Sequence, residues 1–190
     1  MKVQVNKVVD AKGLSCPMPI VKTKKGMDEI TPGQVIEVQA TDKGSLADIK
    51  AWAKSTGHEY IGTTDEDNIL KHYIRKSSSE EVKSEETFPH TISQEEVEKN
   101  LNSERVTILD VREPAEYAFN HIPDAVSIPF GELENRLDEL DKNNELYVVC
   151  RTSHRSDMAS KVLSSNGFKN VKKVVPGMSE WQGPMESKNK

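Results

Sequence analysis

Apolar and polar residues alternate with two different periods in the first 76 residues of the chain. Residues 35–40, VIEVQA, place apolar side chains at every second position, which is the period of a half-buried strand. Leu46, Ile49 and Ala53 recur at the spacing of one helix face, and that helix stops at Gly57. We predict further strands at 3–9, 58–64 and 68–76, a helix at 19–30 and a turn at 65–67. The order βαβαββ predicts an α/β domain, a two-layer sandwich with two helices on one side of a four-stranded sheet.

The second half of the chain alternates helices and strands more regularly. We predict helices at 92–101, 114–120, 131–140 and 155–167, strands at 106–111, 125–130, 146–150 and 171–175, and a final turn at 178–182. The helix at 131–140 is inferred from Leu133, Leu137 and Leu140, which fall in line on a helical surface. This alternation predicts an α/β domain with a parallel sheet covered by helices on both faces. In such sheets reactive loops follow the carboxyl ends of strands, and Cys150 ends one of them.

A polar segment, SSSEEVKSEET, separates the two halves at residues 77–87. It has one apolar residue in eleven, too few to offset the conformational entropy that ordering would cost. We therefore interpret it as a flexible acidic linker between two domains, residues 1–76 and residues 88–190.

Composition narrows the classes of function. The net charge of −5 makes a direct nucleic-acid partner unexpected. The longest apolar run, LYVVC, has five residues, whereas a membrane span takes about 20, and the N-terminus has no apolar signal segment. We expect a cytoplasmic protein without a membrane partner, whose two cysteines are free thiols. The five histidines show no spacing typical of a metal site, no glycine-rich phosphate loop is present, and no cofactor is expected.

The stretch CRTSHRS, residues 150–156, places one cysteine ahead of cations, hydroxyls and an imidazole. If Cys150 ends a strand and Ser156 opens a helix, the residues between them curl and aim backbone N–H groups inward. Those N–H groups, the helix N-terminus and the two arginines favour a thiolate or a persulfide over a neutral thiol. We therefore predict that Cys150 is a catalytic nucleophile. The predicted substrate-binding residues are Arg151, Thr152, Ser153, His154, Arg155 and Ser156.

Alternatives exist for this loop. A cysteine at the end of an apolar strand is also what a buried core position would show. His154 either orients a donor or is an ordinary polar loop residue. Four residues separate Cys150 from Arg155, one fewer than in cysteine enzymes that handle phosphate. The smaller ring favours a single terminal sulfur over a tetrahedral phosphate, which disfavours a phosphatase.

Residues 88–185 resemble the rhodanese family of sulfurtransferases. The resemblance rests on ILDVREPAEYAFNHIPDAVSIPF, VVCRTSHRS and VVPGMSEWQ. It implies that Cys150 takes a sulfane sulfur from a donor and carries it as a persulfide, cradled by residues 151–155. Many members have glycine in the middle of the loop, where this chain has Ser153 and His154. Asp110 and Arg112 follow a strand, and we expect them to form an ion pair that supports a neighbouring loop.

In GLSCPMPI, residues 13–20, the second cysteine precedes a proline at the predicted first position of a helix. Cys16 is thereby held at the positive end of that helix, and we expect its pKa to fall. The lysines at 22, 24 and 25 are either a solvated helix face or a docking surface for an acidic partner. Residues 2–75 resemble the TusA-like (SirA-like) sulfur carriers, which implies the βαβαββ fold and a persulfide that Cys16 passes on. The motif residues are Asp10, Gly13, Cys16, Pro17 and Pro19.

Together the two loops predict a sulfur relay. A small sulfane-sulfur donor such as thiosulfate, a polysulfide or a low-molecular-weight persulfide would load Cys150, which would exchange the sulfur with Cys16. Tethering the two domains gives effective concentrations on the order of millimolar, and a protein or small-molecule thiol would be the acceptor. The alternative is a thiol-based redox or persulfide sensor, or an adaptor, in which Cys16 and Cys150 form a reversible disulfide.

Overall fold

The computed structural model of this chain describes residues 3–78 and 87–187. These residues fall into two compact units, residues 3–78 and residues 87–187. Residues 79–86 of the predicted linker lie outside the described residues. Among the helices in the described part of the chain, none combines the length and the apolar character needed to cross a lipid bilayer.

The first unit has the predicted order βαβαββ. Its elements are β1 (Lys7–Ala11), α1 (Met18–Asp28), β2 (Val35–Ala40), α2 (Ser45–Thr56), β3 (Glu59–Glu66) and β4 (Ile69–Arg75). The strands form one sheet in the order β1-β2-β4-β3, in which β1 and β2 are parallel and the other pairs are antiparallel. Because β1 and β2 are parallel neighbours, the loops that leave them lie side by side at one edge of the sheet.

Apolar side chains of both helices and of β1, β2 and β4 form the core of the first unit. Ile36, Ile49 and Ile74 are among its fully buried members, which agrees with the periodicity of β2 and α2. Leu46 shares the predicted helix face but is exposed. At Gly57 the backbone takes a positive φ of 76°, and α2 ends there as predicted.

Two boundaries in the first unit differ from the prediction. The first strand, predicted at 3–9, lies at residues 7–11. The turn between β3 and β4, predicted at 65–67, is centred on Asp67 and Asn68, which both have positive φ (53° and 62°). A two-residue hairpin turn needs positive φ at both central positions, and Asp followed by Asn tolerates that backbone.

The second unit is built on a parallel sheet of five strands in the order β5-β9-β8-β6-β7. Its strands are β5 (Thr91–Ile92), β6 (Val106–Asp110), β7 (Val126–Ser127), β8 (Glu145–Val149) and β9 (Val171–Val174), and its α-helices are α3 (Gln94–Lys99), α4 (Pro114–Phe119) and α5 (His154–Ser165). The fold class predicted from the alternation of elements is therefore confirmed for both units.

The buried side chains of β8, together with that of Cys150 directly after it, divide between two cores, one on each face of the sheet. Leu146, Val148 and Cys150 belong to the cluster that packs against α5. Tyr147 and Val149 belong to the cluster that packs against α3 and α4. This period of two shows that both faces of the sheet are covered, as a parallel sheet requires.

The helix predicted at residues 131–140 is wrong. Two short 3₁₀ helices, Phe130–Asn135 and Leu137–Glu139, occupy this segment. Arg136 separates them with φ −128°, and its guanidinium binds Glu132 and Glu139 on either side. The leucine spacing nevertheless identified buried positions, because Leu133 and Leu140 both reach the core. The predicted final turn contains a 3₁₀ helix, Met178–Glu180.

A buried histidine lies at the centre of the first unit. His72 has no exposed surface, and its Nε2 atom lies 3.0 Å from the Ser45 hydroxyl. Its Nδ1 atom lies 2.8 Å from the Tyr60 hydroxyl and 3.1 Å from the Thr63 hydroxyl. Burial lowers the pKa of His72 from 6.5 to about 4, so the ring is neutral at pH 7.

We expect the first unit to lose stability as the pH falls from 7 to 5. The unfolded chain protonates His72 near pH 6.5, whereas the folded pKa is about 4. The contribution is therefore full above pH 6.5 and is lost progressively toward pH 4, and the loss at pH 5 amounts to about 2 kcal/mol. Urea unfolding followed by Trp52 fluorescence in a Trp181→Phe variant measures it. His72→Gln should flatten this dependence, and an unchanged dependence would contradict the assignment to His72.

Candidate functional site

The loop after β8 curls back directly into α5. Cys150 follows the last residue of β8, and α5 begins at His154. Ser153 precedes the helix with a positive φ of 74°, which reverses the chain within three residues. The prediction that Ser156 opens the helix is wrong by two positions, because Ser156 lies within the first turn.

The Cys150 thiol is buried, with 1% of the residue exposed, and it adjoins the apolar cluster beneath α5. Burial is what the core-cysteine alternative predicts. Its surroundings are nevertheless partly polar, because the thiol lies 3.4 Å from the Ser156 hydroxyl and donates to it. That hydroxyl in turn donates to the Ser153 carbonyl oxygen at 3.1 Å. The thiol therefore lies against the first turn of α5, at the positive end of the helix.

A second segment holds the backbone of the Cys150 loop in place. The Met178 amide donates to the Cys150 carbonyl at 2.8 Å, and the Ser179 amide donates to the Arg151 carbonyl at 3.0 Å. At Gly177 a Cβ atom would lie 2.4 Å from the Arg151 oxygen and 2.5 Å from the Cys150 oxygen. Only glycine fits there. This gives a structural reason for the glycine in VVPGMSEWQ, one of the motifs that resemble the rhodanese family.

Arg155 points into a buried ion pair. Its two terminal nitrogens donate to the Glu116 carboxylate at 2.7 and 2.8 Å, and both residues are buried. The pairing offsets the positive charge that the sequence analysis assigned to the loop from Arg155. Glu116 was missed at that stage. The signal in the sequence was the position of Glu116 three residues after Glu113, as in a capping box. The Glu116 carboxylate accepts a hydrogen bond from the Glu113 amide at 2.9 Å.

Asp110 and Arg112 form the ion pair that was expected. The Arg112 guanidinium donates to both carboxylate oxygens of Asp110, at 2.9 Å from Nε and 2.6 Å from Nη2. Arg112 also donates to the Asn120 carbonyl at 2.7 Å. The pair therefore ties the end of β6 to the loop after α4.

The other predicted loop residues lie at or near the surface. Thr152 is exposed, and Arg151 and His154 are partly exposed. The Ser153 hydroxyl donates to the Val174 carbonyl at 3.3 Å, which ties the loop to the end of β9. Thus the loop has an accessible side with Thr152, Arg151 and His154, and a buried side with Arg155 and Ser156.

Cys16 is exposed on the loop between β1 and α1. The helix begins at Met18, so Pro17 is its cap residue and not its first helical residue as predicted. The loop is anchored by Gly13, whose amide donates to the Thr41 hydroxyl at 2.8 Å and whose φ is +72°. Lys22 is not merely solvated, because its ammonium donates to the Asp10 carbonyl at 2.8 Å.

The expectation that the pKa of Cys16 falls is wrong. The Asp48 carboxylate raises the pKa of the Cys16 thiol, and partial desolvation and the charge of Asp42 act in the same direction. Asp48 lies in the first turn of α2. The sequence pattern placed the thiol at the N-terminal end of α1. It did not reveal that a carboxylate in the first turn of α2 acts on that thiol.

The two predicted cysteines belong to different units. Within the described residues, no group of three or more histidine, cysteine or carboxylate side chains is placed to hold a metal ion.

Both halves of the chain match known families. Residues 7–76 match the family "Sulfurtransferase TusA", and residues 93–184 match "Rhodanese-like domain". "Putative sulfur carrier protein YrkF" of Bacillus subtilis (strain 168) is 51% identical over 180 residues, 94% of this chain and 97% of that protein. "Sulfur carrier protein TusA" of Allochromatium vinosum is 44% identical over 69 residues, 36% of this chain and 91% of that protein.

A solved structure is similar to one half of the chain. The crystal structure of a rhodanese-related protein from Thermoplasma volcanium is 30% identical and has a TM-score of 0.48. The match covers 51% of this chain and 97% of that one.

We expect Gly177→Ala to displace the Cys150 loop, because the new methyl group would overlap two carbonyl oxygens. In a Cys16→Ser background, iodoacetamide should alkylate the buried Cys150 thiol several-fold faster than in the parent. Gly131→Ala is the matched control in the same unit, because a Cβ atom there meets nothing within 4 Å. Equal alkylation rates in the two variants would contradict the close contact.

Removing one partner of the Glu116–Arg155 pair should destabilise the second unit by about 3–5 kcal/mol, because the other charge stays buried. Glu116→Gln, Arg155→Gln and the double variant form a cycle, measured by urea unfolding through Trp181 fluorescence in a Trp52→Phe background. We expect the double variant to lose less stability than the sum of the single losses. Additive losses would show that the two side chains do not depend on each other.

Proposed function

The chain belongs to the family of sulfur carrier proteins that join a TusA sulfurtransferase domain to a rhodanese-like domain, and from this premise we propose a persulfide relay. In this proposal Cys150 receives sulfane sulfur, and Cys16 exchanges it with Cys150 for delivery to a thiol acceptor. The proposed domains are residues 1–76 and 88–190, joined by the linker 77–87.

The observation that carries the proposal is the position of the Cys150 sulfur against the first turn of α5. Its contact with the Ser156 hydroxyl, at 3.4 Å, lies where a helix has free N–H groups and positive potential. The carbonyl oxygens of Cys150 and Arg151 accept hydrogen bonds from the amides of residues 178 and 179. Their partial negative charges are therefore directed away from an anion in the loop. The loop can thus hold a negative sulfur mainly through amide groups and the hydroxyl of Ser156.

The loading step transfers one sulfur atom and no proton. The Cys150 thiolate bonds to the outer sulfur of a donor S–X, the S–X bond breaks, and X leaves with the electron pair of that bond. With thiosulfate the leaving group is sulfite, and the product is the Cys150 persulfide anion. Toward the Cys150 thiolate the Ser156 hydroxyl is the donor, whereas toward the thiol it is the acceptor. Arg151, Thr152 and His154, on the accessible side of the loop, would contact the donor.

In the relay step, the Cys16 sulfur bonds to the outer sulfur of the Cys150 persulfide. The S–S bond to Cys150 breaks, and the proton lost by Cys16 ends on the Cys150 thiolate. The outer sulfur lies about 2 Å beyond the buried Sγ atom, so the attacking thiol reaches a more accessible atom than the cysteine itself. The same step in reverse loads Cys150 from Cys16.

The pairing of Arg155 with Glu116 bears on the donor. A dianion such as thiosulfate gains most from full positive charges, and the charge of Arg155 is offset. We therefore expect persulfides and polysulfides with a single negative charge at the reacting end to load Cys150 more efficiently than thiosulfate. Comparing kcat/KM for this panel of donors is the direct measurement.

The burial of Cys150 weighs against the sensor alternative. A reversible disulfide requires the Cys16 sulfur to bond directly to Cys150 Sγ, whose residue is 1% exposed. The raised pKa of Cys16 also lowers the fraction of thiolate available to form such a disulfide at neutral pH. Relay through an outer sulfur avoids the first of these obstacles.

Radiolabelled sulfane sulfur tests the relay. In wild type, label should appear on both cysteines. Cys16→Ser should retain label on Cys150, whereas Cys150→Ser should leave Cys16 unlabelled during the period in which wild type loads fully. If Cys150→Ser loads Cys16 as fast as wild type does, relay from Cys150 to Cys16 is excluded. Cyanide treatment, which releases only sulfane sulfur as thiocyanate, distinguishes persulfide from other adducts.

A further inference from the structure

Three segments of the second unit meet at the carboxylate of Asp157. The backbone amide of Phe88 and the ammonium of Lys173 both donate to its Oδ1 atom, each at 2.7 Å. The ammonium of Lys161, one turn further along α5, lies 2.9 Å from its Oδ2 atom. Asp157 and Lys173 are buried, whereas Lys161 is partly exposed. Asp157 therefore fastens α5 to β9 and to the segment that precedes β5.

Asp157 also lies one residue from the contact between α5 and the Cys150 sulfur. It is in the first turn of α5 and follows Ser156, whose hydroxyl is 3.4 Å from the Cys150 thiol. A negative charge at a helix N-terminus offsets the positive potential of the free amides there. The carboxylate that fastens α5 therefore opposes the field that an anionic sulfur at Cys150 requires, unless a cation cancels its charge.

Lys173 is the buried cation that pairs with this carboxylate. Burial raises the pKa of Asp157, but hydrogen bonds from the ammonium of Lys173 and the amide of Phe88 lower it by more, so the carboxylate is ionised at neutral pH. Lys173 reaches the carboxylate from β9, where it lies beside Val148 of β8, two residues before Cys150. The ion pair therefore lies between α5 and the sheet, next to the strand that leads to Cys150.

The other charged groups at the beginning of α5 do not take over this task. Arg155 is paired with Glu116 of α4, so that pair is balanced within itself. Arg151 and His154 lie on the accessible side of the loop, where solvent and salt screen their charges. The same screening weakens the partly exposed ammonium of Lys161. The cancellation of the buried carboxylate therefore depends mainly on the buried ammonium.

We propose that Lys173 is a positioning residue for Cys150, which holds Asp157 in place and cancels its charge so that the first turn of α5 stays positive toward the sulfur. The proposal rests on the proposed function of Cys150 as the thiol that is loaded. Lys173 is buried and acts through Asp157, not by contact with the donor. The Cys150 sulfur is negative both as the attacking thiolate and as the persulfide that loading leaves, so the same cancellation serves both states.

Two substitutions that each remove one charge should act in opposite directions. Lys173→Met keeps the length of the side chain but leaves the Asp157 carboxylate without its buried cation. Asp157→Asn keeps an acceptor for the Phe88 amide but leaves the Lys173 ammonium uncancelled. At an effective dielectric constant of about 20, a unit charge about 10 Å away shifts an ionisation equilibrium by about one pH unit. Lys173→Met should therefore raise the pH midpoint of Cys150 alkylation by about one unit, and Asp157→Asn should lower it. The double variant should return the midpoint to the parent value.

The experiment uses the full chain in a Cys16→Ser background, which leaves Cys150 as its single cysteine. The rate constant for alkylation by iodoacetamide is measured across pH in the parent, the two single variants and the double variant. The midpoint of this profile reports the ionisation of the thiol, whereas the plateau at high pH reports access of the reagent. Looser packing around a substituted residue changes the plateau, and a change of charge moves the midpoint.

Two further variants separate the charge of Lys173 from its packing. Lys173→Arg keeps the charge and should keep the parent midpoint. Lys172→Met is the matched control, because it makes the same chemical change at the preceding residue of β9. The partly exposed ammonium of Lys172 pairs with the Glu145 carboxylate on the other face of the sheet. This control should leave the midpoint unchanged.

The proposal is overturned if Lys173→Met leaves the midpoint unchanged, if the double variant stays as far from the parent as Lys173→Met does, or if Lys172→Met produces the same shift. Should Lys173→Met not fold, Asp157→Asn alone decides: a lowered midpoint supports the proposal, and an unchanged or raised midpoint overturns it. None of these outcomes bears on the relay, because alkylation requires no transfer of sulfur. Conversely, a negative result of the labelled-sulfur experiment leaves the midpoints measurable, so the two proposals fail separately.

Discussion

The two hydrogen bonds from the amides of Met178 and Ser179 to the carbonyls of Cys150 and Arg151 determine the shape of the loop on which the second domain depends. They satisfy the carbonyls that follow β8 and leave the thiol facing the first turn of α5. The contact is possible because Gly177 has no side chain, so two backbone segments approach within van der Waals distance. The buried charges of Glu116 and Arg155 then hold the beginning of α5 from the other side.

The two cysteines occupy opposite environments although each follows a parallel strand and precedes a helix. Cys150 is enclosed, next to a hydroxyl and the positive end of α5. Cys16 is exposed, and the carboxylate of Asp48 opposes its ionisation. An enclosed sulfur is protected from water and unrelated thiols, which suits a group that is loaded. An exposed thiol whose ionisation is opposed suits a carrier that passes its outer sulfur atom to a partner protein.

Sequence periodicity predicted which positions are buried more reliably than it predicted the type of helix. The spacing of leucines at 133, 137 and 140 correctly marked the core-facing side of that segment, yet the chain forms two 3₁₀ helices there. The break occurs at Arg136, where paired carboxylates on both sides stabilise a non-helical backbone. Arg155 shows the same limit in the site, because its partner Glu116 lies 39 positions away and no local pattern links them.

The sequence by itself determined the α/β class of both units, the order of elements in the first unit and the loops in which both thiols lie. These follow from local periodicity and from turn residues near each thiol. Only the tertiary structure decided the charge that each thiol experiences. Electrostatic effects act through space, and the parallel pairing of β1 with β2 places Asp48 beside Cys16 across 32 positions of sequence. The packing of Glu116 against α5 likewise offsets a cation that the sequence alone had assigned to the loop.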